Sequence, residues 1–299
     1  NKTVHELEER IETLGLGNVE VRTYHSLGTS IIEKSTGGKR SVESDPAIIK
    51  FLEELFESKA QYSKIIEYLS QYFYPDRYED SFDSTKEFNE FATIHNLESL
   101  KTLKQEKVRS VQEVKLANWL YLNGIKYEYE QPYPLRKFYT PDFSLTDYKI
   151  FIEHFGVNRD GSTRPDIDQH EYAKQMVWKQ KLHHQNKTIL IETYSYQFRE
   201  ESVFIKLEKA LKEQGVEFKP LTADEVRGQI KVKEHLKKLA DSLTTFLTLY
   251  KEDPQGARLA IAQSGKKDLP QQKRFLTLFE ELRVQYDKDL KEREQIDFA

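Results

Sequence analysis

The sequence predicts a mixed α/β chain in which a small mixed sheet flanked by helices is set between two long helical arms. Three observations predict it. Residues 45–73, DPAIIKFLEELFESKAQYSKIIEYLSQYF, place apolar side chains at helical spacing with no strand signal. Residues 126–193 hold short β-branched and aromatic runs separated by helical patterns. After Pro220 the chain returns to long charged helical stretches, 222–250 and 270–294.

Taken in order, residues 2–14 carry Val4, Leu7, Ile11 and Leu14 on one helical stripe that stops at Gly15 and Gly17. VEVRTY (19–24) alternates and is β-branched, which predicts a strand, and HSLGTSIIEK predicts a helix ending before Gly37. Asp45 is placed to cap the next helix, with Pro46 at its first position. In the middle region the patterns give helix 110–122, strands near 126–130, 138–146 and 149–155, helix 166–184, strand 187–193 and helix 200–214.

A length of 299 residues suggests more than one folding unit. Apolar runs fall far short of the roughly 20 residues that span a bilayer, so a soluble, non-membrane protein is expected. The absence of cysteine excludes disulfides, thiolate zinc sites and a cysteine nucleophile, and agrees with a reducing cytoplasm as the expected compartment. The chain begins at Asn1 with no basic-then-apolar leader, as expected of a piece excised from a longer protein. A net charge of −4 excludes a generally basic DNA-coating protein but leaves room for local positive tracks. Lys101, Lys104, Lys107 and Arg109 form one cluster, and Lys174, Lys179, Lys181 and Lys187 another, although clusters of this kind are more often solvated helix faces.

Chemistry enters with acids that point inward. In helix 110–122, Ser110 is the expected N-cap and Glu113 shares a face with Leu116, Ala117 and Leu120. A carboxylate there is costly unless donors or a cation meet it, although a glutamate near a helix start is also favoured by the helix dipole alone. In YTPDFSLTDYKIFIEHFGV, Asp142 follows Pro141, with Thr140 and Ser144 on its face and Tyr139, Phe143 and Leu145 on the other. Glu153 stands in an otherwise apolar strand with Phe151 and Phe155 as same-face neighbours. A hairpin turning near Thr146 and Asp147 brings Asp142 and Glu153 together, an arrangement of like charges best tolerated when they share a divalent cation. Oxygen ligands of this kind suit Mg²⁺ or Mn²⁺. Helix 166–184 lines up Tyr172, Gln175, Met176 and Lys179 on one stripe. Lys179 is thereby placed either in the same pocket or in solvent.

The separated blocks PDF, IEHFG, EYAKQMVWKQKLH and TILIETYS, preceded by KVRSVQEVKLANWLYLNGIKYEYEQPYP, resemble the PD-(D/E)xK nuclease domain found inside helicases of the UvrD and helicase IV type. The likeness covers about residues 105–196 and implies a restriction-endonuclease-like fold. It implies Glu113, Asp142 and Glu153 as metal ligands for Mg²⁺ or Mn²⁺, with the main-chain carbonyl of His154 as a further one. Phe155 occupies the place where the motif's lysine usually stands, and the resemblance supplies that lysine from the following helix as Lys179. Tyr172 and Gln175 fall where such nucleases meet DNA.

VEVRTYHSLGTSII resembles the TFHSLG block of UvrD-like helicases, which implies Thr23, His25 and Ser26 as neighbours of single-stranded DNA. The last residues, YDKDLKEREQIDFA, resemble the stretch ahead of the second ATPase motif. These likenesses divide the chain into a fragment of helicase domain 1A (1–44), a helical arm like subdomain 1B (45–104), the nuclease-like domain (105–218) and a second helical arm leading back to the helicase core (219–299). The implied activity is metal-dependent DNA cleavage within a larger helicase of DNA processing, repair or defence; the alternative is a degenerate nuclease fold that binds DNA or regulates the helicase. The remainder of that helicase is then an expected partner.

Other chemistries lack their residues. The string nearest a phosphate-binding loop, EKSTGGKR (33–40), has Glu33 where the first glycine belongs and Arg40 where the hydroxyl belongs, so no ATP hydrolysis is expected. His183 and His184 point about 100° apart on a helix and chelate poorly together. No order of serine, histidine and aspartate suggests covalent catalysis.

Overall fold

Helix α1 (Lys2–Thr13) and helix α2 (Tyr24–Thr36) open the chain. The computed structural model describes all residues except 1, 17–18, 37–40, 43–46, 75–76, 78–81, 137, 228–229, 264–268 and 297–299. Residues 19–23 join no ladder, against the strand expected over 19–24. A β-branched run becomes a strand only beside a partner, and Thr23 instead accepts a hydrogen bond from the Ser26 amide (3.1 Å) as the N-cap of α2. The expected caps Asp45 and Pro46, and Gly37 to Arg40 of the glycine-containing string, lie outside the described residues.

A two-residue strand β1 (Ser41–Val42) is followed by α3 (Ala47–Glu57), α4 (Lys59–Glu67), a π-helical turn at Tyr68–Tyr72 and α5 (Thr85–Ile94). The single helix expected over 45–73 is thus divided. Ser58 adopts an extended backbone (φ −74°, ψ 121°), and serine is a residue type that favours such breaks.

Next come α6 (Val111–Leu122), β2 (Glu128–Tyr129), β3 (Phe143–Leu145), β4 (Ile150–Phe155), α7 (Gln169–Gln185), β5 (Ile189–Tyr194), α8 (Ser195–Arg199) and α9 (Val203–Glu213). The four strands form one mixed sheet in the order β2-β3-β4-β5, antiparallel except for the parallel pair β4–β5. Strand β3 is shorter than the expected 138–146, because Pro141 has no N–H to give a ladder. Helix α7 starts at Gln169 rather than near 166: the Asp168 carboxylate accepts from the amides of His170 (2.9 Å) and Glu171 (3.0 Å). The helix expected over 200–214 is α9, starting at Val203, and the short α8 just before it lay outside the sequence expectation.

The last arm holds α10 (Ala223–Arg227), α11 (Ile230–Glu252), α12 (Pro254–Gln263), α13 (Leu269–Glu292) and β6 (Gln295–Ile296), which pairs in parallel with β1. Helix α12 lay outside the sequence expectation. It begins with proline at its first position, after Asp253 accepts from the Gly256 amide (2.9 Å). Among the described residues no helix is long and apolar enough to cross a membrane.

Two cores result. The helical core joins Leu52, Ile65 and Leu69 from the first arm to Leu243, Phe246, Leu278, Phe279 and Leu282 from the last. The sheet core joins Leu116 and Leu120 of α6, Phe143, Ile150, Ile152 and Ile191 of the sheet, and Leu207 and Leu211 of α9. Helix α6 serves both and is buried almost all round: Val111 and Val114 pack with Leu100 and Val108, while Asn118 accepts from the Leu103 amide at 2.7 Å. Where α6 ends, Gly124 has φ +67°, and a Cβ there would stand 2.0 Å from the Lys219 carbonyl oxygen. Only glycine lets the outgoing chain cross so closely, with Lys219 and Leu221 donating to the carbonyls of Asn123 and Leu122 (both 2.9 Å).

Candidate functional site

Strand β4 alternates, so its two faces carry different chemistry. Ile150 and Ile152 enter the sheet core, while Phe151, Glu153 and Phe155 face the other side, against α7. Phe143 pairs with Ile152, so one step further along the antiparallel register Asp142 comes opposite Glu153. The His154 amide donates to Asp142 Oδ2 at 2.6 Å and fixes that carboxylate at the mouth of β3. Glu153 is completely buried.

Two donors meet Glu153 here, and a histidine stands behind one of them. Lys179, projecting from α7, places Nζ 2.5 Å from Glu153 Oε2. The Tyr139 hydroxyl donates to Glu153 Oε1 at 2.6 Å. His183, one turn after Lys179, contacts that hydroxyl through Nε2 (3.0 Å) and Thr188 through Nδ1 (2.8 Å). Lys179 therefore stands at the carboxylates rather than in open solvent, whereas Lys181 is exposed.

The electrostatics follow from burial and like charge. Asp142 has its carboxyl pushed well above the usual range by burial and then by the charges of Glu153 and Glu113, with Lys179 opposing. Glu153 is also raised by burial, although Lys179 and Tyr139 pull it down. Burial pushes His154 down to about 3 and His183 down to about 4, the latter helped by Lys179. The His154 ring lies on the opposite face of the sheet, held between Gln112 Oε1 (2.6 Å) and Thr193 Oγ1 (3.0 Å).

Glu113 is buried at the start of α6 but engaged by its own helix. Ser110 Oγ donates to Oε1 (3.0 Å), while the Arg109 amide (3.2 Å) and the Tyr129 hydroxyl (2.5 Å) donate to Oε2. The inward reading and the helix-start reading of this residue both hold: it caps the helix and its charge still acts on Asp142. Among the described residues no three histidine or acidic side chains form a ready-made metal cage. Half-buried Asp142 and buried Glu153, adjacent oxygen donors whose carboxyls are both raised, nevertheless fit a hard divalent cation.

Other expected site residues are placed as follows. Tyr172 is half-buried on α7 and its hydroxyl accepts from the Gly156 amide (2.9 Å), just past the end of β4; Gln175, on the same stripe, is exposed. Thr23 and Ser26 bond to each other at the start of α2, outside this group, and Ser26 is exposed; the side chain of His25 lies outside the described residues. His184 is exposed while His183 is buried, so the two rings diverge.

Two residues of the site escape the sequence reading. Tyr139 was expected to face away from Asp142, but residues 139–142 precede β3 and strand alternation does not apply to them. Glu192 is paired with Glu153 in the parallel register of β5, half-buried and bonded by the Tyr194 hydroxyl. Its acid within the run ILIETY was the available signal.

No family model matches the chain, and comparisons with curated proteins and with solved structures return no match.

Proposed function

We propose that the chain is a Mg²⁺- or Mn²⁺-dependent DNA nuclease module of the PD-(D/E)xK type, carried in the 1B region of a UvrD-like helicase and lacking that helicase's ATP site. The observation that carries this reading is the meeting of Asp142 and Glu153 on adjacent strands with Lys179 Nζ 2.5 Å from Glu153. Asp142, raised by burial and the charge of Glu153, and Glu153, raised by burial, are costly as anions, and a shared cation offsets that cost. Asp142 and Glu153 would hold it, with the His154 carbonyl close by in sequence and Glu113 adding negative potential. When bound, such a cation supplies Lewis-acid polarisation of a phosphoryl oxygen and a more acidic water.

The side chains contribute the rest. Lys179 sets a positive charge where a phosphate gains negative charge in the transition state, and Tyr139 holds the Glu153 carboxylate in one orientation. Phe155, at the usual lysine position, lies under the Lys179 ammonium, which is 5.6 Å from its ring centroid. Tyr172 and Gln175 continue the same stripe of α7 toward the surface, where a DNA strand would lie.

A second reading, a nuclease fold that binds DNA without cutting it, is favoured by one observation: both Glu113 oxygens are already taken by Ser110, Arg109 and Tyr129. Incubation with labelled single- and double-stranded DNA in Mg²⁺, Mn²⁺ or EDTA separates the two. Cleavage that requires metal and is lost in Asp142→Asn is the expected result; DNA binding without cleavage in any metal selects the second reading.

A further inference from the structure

Resting on the nuclease reading, we infer that the loop between Tyr133 and Tyr139, together with Trp178, forms a stacking platform for unpaired bases that directs single-stranded DNA to the carboxylate edge. Backbone hydrogen bonds tie its described residues together. The Tyr133 amide donates to the Tyr139 carbonyl (2.7 Å), the Arg136 amide to the Tyr133 carbonyl (3.0 Å) and the Tyr139 amide to the Arg136 carbonyl (3.0 Å). Yet its tip directs apolar groups outward: Phe138 is fully exposed and Leu135 is 66% exposed. A phenylalanine in that position adds nothing to either core, and its apolar surface stays in water.

What borders the tip gives it a use. Trp178 keeps 39% of its surface on the adjacent face of α7, and the Arg136 guanidinium lies 5.3 Å from its ring centroid. Trp178 also meets Tyr139 edge-on at 5.4 Å, and Tyr139 donates to Glu153. Neighbouring residues of α7 therefore point to both jobs: Lys179 touches the carboxylate, and Trp178 presents a part-exposed ring, bordered by Arg136, one side chain away from it. Aromatic faces beside a cation suit a strand whose bases are free to stack and whose phosphates need a positive partner. A duplex hides its base faces in its own stack, so the platform favours a single strand or a frayed end.

The test uses the full chain in EDTA, so that no cleavage intervenes, and follows the fluorescence anisotropy of three labelled ligands of equal length: oligo(dT), an abasic sugar-phosphate oligomer and a blunt duplex. Oligo(dT) is expected to bind at least about 10-fold more tightly than the abasic strand, since base stacking is the difference between them. Phe138→Ala and Trp178→Ala should each weaken oligo(dT) binding by about 5- to 100-fold and leave abasic and duplex binding unchanged. The fully exposed Phe138 has no packing to lose, which keeps the test independent of folding. Equal affinity for oligo(dT) and the abasic strand, or unchanged binding in Phe138→Ala, overturns the platform. Metal-dependent product formation is read separately, so failure here leaves the nuclease reading to its own assay.

Discussion

The helical core and the sheet-centred unit close around apolar side chains in the same way but differ in what else they bury. Among the described residues, the buried polar groups of the helical arms are Ser70 and His235, with Thr102 at the junction, and His235 is stacked on Phe73 (4.0 Å) with Nε2 near the Tyr74 hydroxyl. The other buried polar side chains fall between Gln112 and Gln197 and include Glu113, Glu153, His154 and His183. A buried charge costs several kcal/mol unless paired, about as much as a large apolar truncation. Folding alone gives no reason to gather so many in one small sheet. The helical arms bury almost only apolar groups, whereas the sheet unit buries polar and charged groups among its apolar ones.

The contrast predicts opposite responses to substitution. Leu282→Ala in the helical core should cost about 2–5 kcal/mol in denaturant unfolding while leaving the cleavage rate per folded molecule unchanged. Glu153→Gln should leave metal-free stability little changed, because burial outweighs the Lys179 and Tyr139 contacts and already favours the neutral carboxyl that glutamine resembles, and should abolish the metal response. A large loss of metal-free stability in Glu153→Gln would show that the site is structural after all.

Metal and pH sharpen the same contrast. The folded pKa values of Asp142 and Glu153 lie above their unfolded ones, so the native state binds more protons than the unfolded state over that interval. Their contribution is fully present below about pH 4 and is lost as pH rises through the raised values. His154 and His183, depressed by burial, act in the opposite sense and cost stability as pH falls below about 6.5. Mg²⁺ at 100 times its dissociation constant should then add about 2.7 kcal/mol. That gain should be larger at pH 8 than at about pH 5.5, where protons compete for the acids; thermal melts with Mg²⁺ and EDTA at the two pH values measure it.

The smallest effect belongs at the periphery. Thr23→Ala removes the cap of α2 and should cost about 1 kcal/mol in the local opening of that helix, read by amide exchange, with no change at the sheet unit.

How much of this was legible in the sequence depended on how local the cause was. The positions of Asp142 and Glu153 follow from a proline, a two-residue period and a short hairpin, all within fourteen residues, whereas the helical stripe left Lys179 open between pocket and solvent and only the family resemblance put it at the acids. The Asp253–Pro254 start of α12 was written just as locally and was passed over. Tyr139 was misplaced because alternation was extended through Pro141, where the ladder has already stopped. Glu192 could not be placed, because parallel pairing between β4 and β5 is fixed across an intervening helix and no local pattern sets that register. The strand expected over 19–24 shows the converse: β-branched composition without a neighbour gives an extended lead into a helix.

The most direct test of the account is the single-turnover rate of DNA cleavage in Mg²⁺ for Lys179→Met beside Lys181→Met. Lys179 touches Glu153 and Lys181, two residues on, is exposed. A transition-state charge removed at Lys179 should slow cleavage by about 100-fold or more, with metal and DNA affinity little changed, while Lys181→Met keeps the parent rate. Equal damage from both substitutions, or none from Lys179→Met in a protein that cleaves, would contradict the assignment of the catalytic charge to α7.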